Sequence, residues 1–168
     1  MSQSPQAHVD AVVVGAGITG LYAVYKFRTQ GRSVLAFESA SDVGGTWYHN
    51  RYPGARCDVE SIDYSYSFDA ELQQEWTWTE RFATQEEILR YLRHVTDRHD
   101  LRSAYCFDTK VTSAVWDDVT SVWTISTDTG TVVTARFVVF ATGVLSTANR
   151  PDIEGAESFS GESYHTGE

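Results

Sequence analysis

Gly15-Ala16-Gly17-Ile18-Thr19-Gly20 sets three glycines at G-x-G-x-x-G spacing, and Glu38 stands eighteen residues after the last of them. In that order these residues describe a dinucleotide site. Gly15 permits a tight turn, Gly17 lets backbone approach a pyrophosphate, and Gly20 lets a helix pack closely on the sheet behind it. A helix starting at this turn offers unpaired N–H donors and partial positive charge, about 0.3–1 kcal/mol toward an anion. Thr19 could add a hydroxyl contact. Glu38 can accept hydrogen bonds from adenosine ribose hydroxyls, and its charge repels the 2′-phosphate of NADPH. The turn is therefore expected to hold FAD or NAD(H), with any NADPH bound elsewhere. By itself it does not decide between FAD and NAD.

A second group follows. Asp42-Val43-Gly44-Gly45-Thr46-Trp47 brings two more glycines, and Arg51, Arg56 and Asp58 lie among Trp47, Tyr48, Tyr52 and Tyr64. Planar side chains mixed with fixed charge suit a flavin or nicotinamide ring. The same residues taken in isolation could be a solvated loop with incidental ion pairs. Cys57 reads as a small buried residue rather than a nucleophile. Thr142, Ser146 and His165 form no hydrolase triad, because no G-x-S-x-G elbow is present. His94 and His99 fall on one helical segment, are expected to be solvated, and have no metal-ligand spacing.

The elements that must position these groups are legible in outline. Val9 to Val14 is a short valine-rich run ending at glycine, as expected of a strand buried on both faces of a parallel sheet. Ile18 to Thr29 carries apolar Leu21, Val24, Tyr25 and Phe27 and stops at Gly31, a helix. Ser33 to Phe37 returns as a strand, which completes a β-α-β unit with the glycine turn at its first junction. Ser39 to Phe68 shows no sustained period and reads as a long functional loop. Thr84-Gln85-Glu86-Glu87 is a capping box, and Ile88, Leu89, Leu92 and Val95 give the next helix an apolar face. Lys110 to Val115, Ser121 to Ser126 and Thr131 to Phe140 read as an antiparallel meander with a turn at Asp128-Thr129-Gly130. Arg136 to Phe140 then leads into Ala141-Thr142-Gly143, where the chain is expected to re-enter the main sheet and turn at a ligand. The expected fold class is α/β, a Rossmann-like domain with a parallel sheet and an antiparallel meander.

Composition narrows the partners. The 168 residues are 42% hydrophobic with a formal net charge of -10 and no basic cluster. That argues against nucleic acid and anionic membrane surfaces and toward small neutral substrates. Two cysteines without metal or disulfide spacing point to a reducing compartment. The polar start at Met1 to His8 and the brevity of the apolar run after it offer no signal or membrane segment. A cytoplasmic protein is expected.

Phe159-Ser160-Gly161-Glu162-Ser163-Tyr164-His165 resembles the F-x-G-x-x-x-H fingerprint of class B flavin-dependent monooxygenases. Gly44-Gly45-Thr46-Trp47 resembles the G-G-x-W segment of two-dinucleotide flavoproteins. Asn50 to Ser61, with Arg51-Tyr52-Pro53-Gly54-Ala55-Arg56-Cys57-Asp58 at its centre, looks like the loop beside the isoalloxazine in type I Baeyer-Villiger monooxygenases of the phenylacetone and cyclohexanone monooxygenase kind. The likeness extends through Ile62-Asp63-Tyr64, Gln74-Glu75-Trp76 and Thr79-Glu80-Arg81-Phe82, nearly the whole chain.

The resemblance implies an FAD site in which Gly45 and Thr46 follow the pyrophosphate, and Trp47, Arg56 and Tyr64 lie at the flavin. Val111 would hold the adenine through its backbone. It gives Asp58 a catalytic place near flavin N5 and the nicotinamide, paired with an arginine from later in the sequence that stabilises a C4a-peroxyflavin and the oxyanion of its ketone adduct. The implied activity is NADPH- and O2-dependent oxidation of ketones to esters or lactones, with no obligate protein partner. Residues 1–149 would be the FAD-binding part. Residues 150–168 would be a linker toward an NADPH-binding domain, with His165 coordinating domain movement, so the α/β domain is expected to be incomplete. Two alternatives stand beside this: a flavin-containing N- or S-monooxygenase, and a fragment that binds FAD without turnover.

Overall fold

The computed structural model describes residues 7–166. The polar start at 1–6 and the last two residues of the expected linker lie outside the described residues. The sheet runs β3-β2-β1-β6-β5-β4, built from β1 (Ala7–Val14), β2 (Val34–Phe37), β3 (Tyr105–Cys106), β4 (Val111–Asp117), β5 (Val122–Thr127) and β6 (Val132–Phe140). The pairs β1 with β2, β2 with β3 and β1 with β6 are parallel, whereas β4 with β5 and β5 with β6 are antiparallel. One strand, β6, thus belongs to both halves: it closes the meander and re-enters the parallel sheet beside β1, as the sequence led one to expect.

Alternation along the central strands buries both faces. On β1, Val13 packs into one core with Ala36 of β2, and Val12 packs into another with Phe37. The first core is covered by α1 (Ile18–Thr29) and α4 (Gln85–Arg98), through Leu21 and Val24 of α1 and Ile88, Leu92 and Val95 of α4. The second is closed by Ile125 of β5 with Val133 and Ala135 of β6.

The segment from Ser39 to Phe68 is largely irregular, as expected, but contains the four-residue helix α2 (Thr46–His49) and a 3-10 turn at Ser61–Tyr64. A short helix unforeseen from the pattern, α3 (Ala70–Glu75), starts where the Asp69 carboxylate accepts from the Leu72 N–H at 3.0 Å.

Two expectations need correction. The capping box at Thr84 is only half made: Thr84 Oγ1 accepts from the Glu87 N–H at 3.3 Å, but the Glu87 carboxylate accepts from the backbone N–H and hydroxyl of Thr79, at 2.9 and 2.8 Å. A buried glutamate takes the partner that also anchors a neighbouring segment. His94 and His99 are only partly solvated: His94 lies against the Trp76 ring, and His99 meets the stacked rings of Tyr25 and Phe68 edge-on beside Asp69. Burial lowers the His99 pKa against the pull of Asp69, which favours the neutral ring.

Candidate functional site

The glycine turn lies where β1 ends and α1 begins. Gly15 has φ +106, and a Cβ there would come 2.5 Å from the Ala141 carbonyl oxygen, because the chain leaving β6 crosses directly behind it. That crossing is fixed by the Ala141 N–H donating to Val14 O at 2.8 Å. Gly20 lies one turn into the helix, where a Cβ would fall 1.9 Å from the Gly15 carbonyl oxygen. Only glycine therefore lets helix and turn close to this distance. Gly17 is the N-cap of α1, and no side chain caps that helix. The first intrahelical bond is from the Leu21 N–H to Gly17 O, so the amides of the first turn precede it.

A second glycine loop meets the first. Gly45 has φ +54, and a Cβ there would stand 2.8 Å from the Gly17 Cα. Gly44 donates its N–H to Ala16 O at 2.9 Å, while Ala16 donates its own N–H to Glu38 Oε2 at 2.7 Å. Ala16, fully buried, is thus held on both sides of its backbone, by the acid at the end of β2 and by the second loop. Glu38 Oε1 accepts from the Ala40 N–H at 2.8 Å and from the Ser39 hydroxyl. The acid expected to face the ribose is therefore also a brace for the turn. It is 6% exposed, and Oε2 keeps acceptor capacity beyond its one backbone partner.

The Gly44–Gly45 loop is anchored from behind. Asp42 Oδ2 accepts from Arg93 Nε of α4 at 2.8 Å, and Oδ1 accepts from Arg102 Nη1 at 2.6 Å. Burial pushes the Asp42 carboxyl up, but the Arg102 hydrogen bond, the Val43 N–H and Arg93 outweigh it and hold the group below the usual carboxylate range. Gln85 of α4 donates to the Trp47 carbonyl, which fixes the end of the loop that carries the indole.

These loops border an open cleft of about 1030 Å³. Gly15, Gly17, Thr19, Glu38, Gly45, Thr46, Trp47, Arg56, Asp58, Tyr64 and Val111 all line it. Gly20 does not; it works behind the turn. At one end Trp47 and Tyr64 meet edge to face with centroids 5.6 Å apart. Burial is the main cause raising the Tyr64 phenol, with electrostatic interactions from the neighbouring Cys57 and Asp58 adding to it, so it is a neutral donor there. Asp58 is exposed at the same end, and Cys57 next to it is buried. Val111 stands at the start of β4 and also lines the cleft. Arg56 borders the cleft, but its guanidinium turns to the surface, where Nη1 donates to Glu80 Oε2 at 2.6 Å and to Phe82 O at 2.9 Å. Arg51 lies over the Tyr48 ring, 5.3 Å from its centroid, and is not part of the wall.

Lining residues that the motifs did not point to include Ser39, Thr109, Lys110 and Leu145. Those residues come from strand ends and loop positions that carry no spacing signal. Ala141-Thr142-Gly143 does turn at the cleft, with Gly143 at φ +69. In the fingerprint segment, a Cβ on Gly161 would stand 2.5 Å from the Phe159 ring, so the glycine lets that ring fold back over the chain. Among the described residues no group of three or more His, Cys, Asp or Glu could hold a metal ion, and no helix is long and apolar enough to cross a membrane.

Residues 13–71 match the NAD(P)-binding Rossmann-like domain family. A Baeyer-Villiger monooxygenase of Pseudooceanicola batsensis is 51% identical over 162 residues, 96% of this chain and 30% of its own length. Over the stretch it spans, the chain is similar to this Baeyer-Villiger monooxygenase. A steroid monooxygenase solved with NADP superposes with a TM-score of 0.85 at 62% identity, covering 93% of this chain and 30% of that one. A phenazine N-monooxygenase of Lysobacter antibioticus is 46% identical over 168 residues, 99% of this chain and 31% of its own length. The chain spans about 30% of the length of the curated relatives it matches, so the expected incompleteness of the α/β domain is seen in this coverage.

Proposed function

We propose that this chain is the FAD-binding part of an NADPH- and O2-dependent monooxygenase that converts ketones to esters or lactones. The observation that carries the reading is the double cradle: two glycine loops in contact at Gly17 and Gly45, braced through Ala16 by the buried Glu38 and opening onto the Trp47–Tyr64 corner. A pyrophosphate can lie across two loops that pack this closely because glycine lacks a Cβ at their contact. Gly15, Gly17, Thr19 and Gly45-Thr46 would hold the pyrophosphate, Glu38 the ribose, Val111 the adenine, and Trp47, Arg56, Asp58 and Tyr64 the region of the flavin ring. Bound FAD supplies the redox chemistry, accepting hydride from NADPH and activating O2.

The carboxylate of Glu38 disfavours a 2′-phosphate, so NADPH belongs to a separate domain. Residues 1–149 form the FAD-binding part, and 150–168 lead toward that domain. Asp58 is the catalytic carboxylate of this chain: exposed at the aromatic end, it is placed beside the flavin and nicotinamide to pair with an arginine from the rest of the protein, which in turn stabilises oxyanion character on the ketone.

The complete protein incubated with FAD, NADPH and a cyclic ketone should yield the lactone, detected by gas chromatography with mass spectrometry. NADPH consumption without oxygenated ketone would defeat the proposal. A second reading, oxygenation of an aromatic nitrogen, draws on the phenazine N-monooxygenase, which matches across 99% of the chain. N-oxide formation from a phenazine, with ketones untouched, would establish it instead.

A further inference from the structure

The carbonyl side of the glycine turn is held by two phenols that come from elsewhere in the chain. Tyr66 donates its hydroxyl to Ile18 O at 2.5 Å, and Tyr105 of β3 donates to Gly15 O at 3.3 Å; each is only 8% exposed. Each carbonyl shares a rigid peptide plane with the next residue's N–H. The Ile18 carbonyl is thus coupled to the Thr19 N–H, and the Gly15 carbonyl to the Ala16 N–H that donates to Glu38 at 2.7 Å. A donor on the oxygen of an amide polarises the group and strengthens the bond given by its N–H.

Thr19 lies in the uncapped first turn of α1 and lines the cleft, so its amide is one of those presented to an anion. The two phenols therefore act on different amides of one turn: Tyr66 on one offered to the ligand, Tyr105 on one that receives the brace. The missing side chain of Gly20 makes the second contact available, since a Cβ there would stand 3.2 Å from the Tyr105 hydroxyl. Tyr66 is itself fixed at its backbone, where its N–H donates at 2.7 Å to the hydroxyl of Tyr91, a 1% exposed residue of α4. Burial, the main cause, raises both phenols well above their ordinary pKa and keeps them protonated donors.

We infer that Tyr66 and Tyr105 are positioning residues for the pyrophosphate of the bound cofactor, aiming and polarising the amides of the glycine turn through its carbonyls. The inference rests on the FAD reading above. To test it, Tyr66→Phe and Tyr105→Phe are made in the complete protein, stripped of flavin and titrated with FAD, with the phosphorus NMR spectrum of the bound cofactor and the apoprotein unfolding midpoint recorded alongside. Tyr66→Phe should raise the FAD Kd about five- to tenfold and shift the pyrophosphate resonances, with Tyr105→Phe shifting them less and raising Kd about threefold because its bond is longer.

A Tyr66→Phe protein that binds FAD within twofold of wild type overturns the inference. So does weaker binding with unmoved phosphorus resonances, which would reduce Tyr66 to a packing group. Should Tyr66→Phe fail to fold, Tyr105→Phe decides by the same two readouts, and wild-type behaviour there overturns the inference. A wild-type protein that takes up no FAD sinks the cofactor reading itself, whereas normal uptake with indifferent variants leaves that reading standing and removes only the role of the phenols.

Discussion

Glu38 carries two obligations on one carboxylate: it accepts from two backbone N–H groups, of Ala16 and Ala40, and it faces the cleft. Glu38→Ala would leave both donors buried without an acceptor, at about 1–3 kcal/mol each where water cannot replace it. The expected result is a loss of apoprotein stability in urea denaturation as well as of FAD affinity. A variant with normal stability and weak binding would show that the brace is dispensable. At Gly45 the cost is steric, because φ +54 and a Cβ 2.8 Å from the Gly17 Cα leave no room for a side chain. Gly45→Ala should weaken FAD binding about tenfold or more, measured by flavin fluorescence titration. The turn glycines and Glu38 were readable from sequence because their roles are set by backbone and spacing. Arg56 shows the limit: its guanidinium is directed by Glu80 and Phe82, partners about two dozen residues away that no local pattern announces.

Between elements, Asp42 is the pin that joins the second glycine loop to α4 and to the turn after it. Its carboxyl is held below the ordinary value of 3.8, so the stability it contributes is complete above that value and is lost as pH falls through the lowered one. Asp42→Asn lacks this component. The stability gap between wild type and Asp42→Asn should therefore be widest near neutral pH and narrow below about pH 4, as read from denaturant curves across pH. A constant gap would assign the pin to shape alone. At this scale the long periodic pieces were legible: α1, α4 and the meander follow from apolar spacing and turn residues. The short ones were not. α3 has six residues and β3 two, too few for a period to register, and both owe their form to partners, Asp69 at the helix cap and β2 alongside.

Across the whole molecule, apolar surface concentrates where β6 ends and its following loop begins: Phe137 and Phe140 are 57% and 56% exposed, Val144 and Leu145 92% and 61%. Phe140 and Leu145 also border the cleft. Residues 1–168 produced by themselves should bind a hydrophobic dye at this patch, and added FAD should lower the dye signal by covering the part that borders the cleft. Dye binding indifferent to FAD would separate patch from cleft. The fold class and the order of the site's parts could be read from the sequence because G-x-G-x-x-G, the acid and the second glycine pair all fall within one β-α-β unit and the loop after it. The return of β6 to the parallel sheet was legible too, from the run that leads into Ala141-Thr142-Gly143; that β1 is its neighbour there was not, since nothing in a strand's composition names the strand beside it. The double hold on Ala16 has a kinetic consequence. Its amide proton is released only when the Glu38 brace opens, and that of Gly44 only when the two loops part, so the cradle exchanges with solvent as one cooperative unit. In hydrogen–deuterium exchange the two amides should keep common time, well separated from the faster amides of the exposed segment after β6.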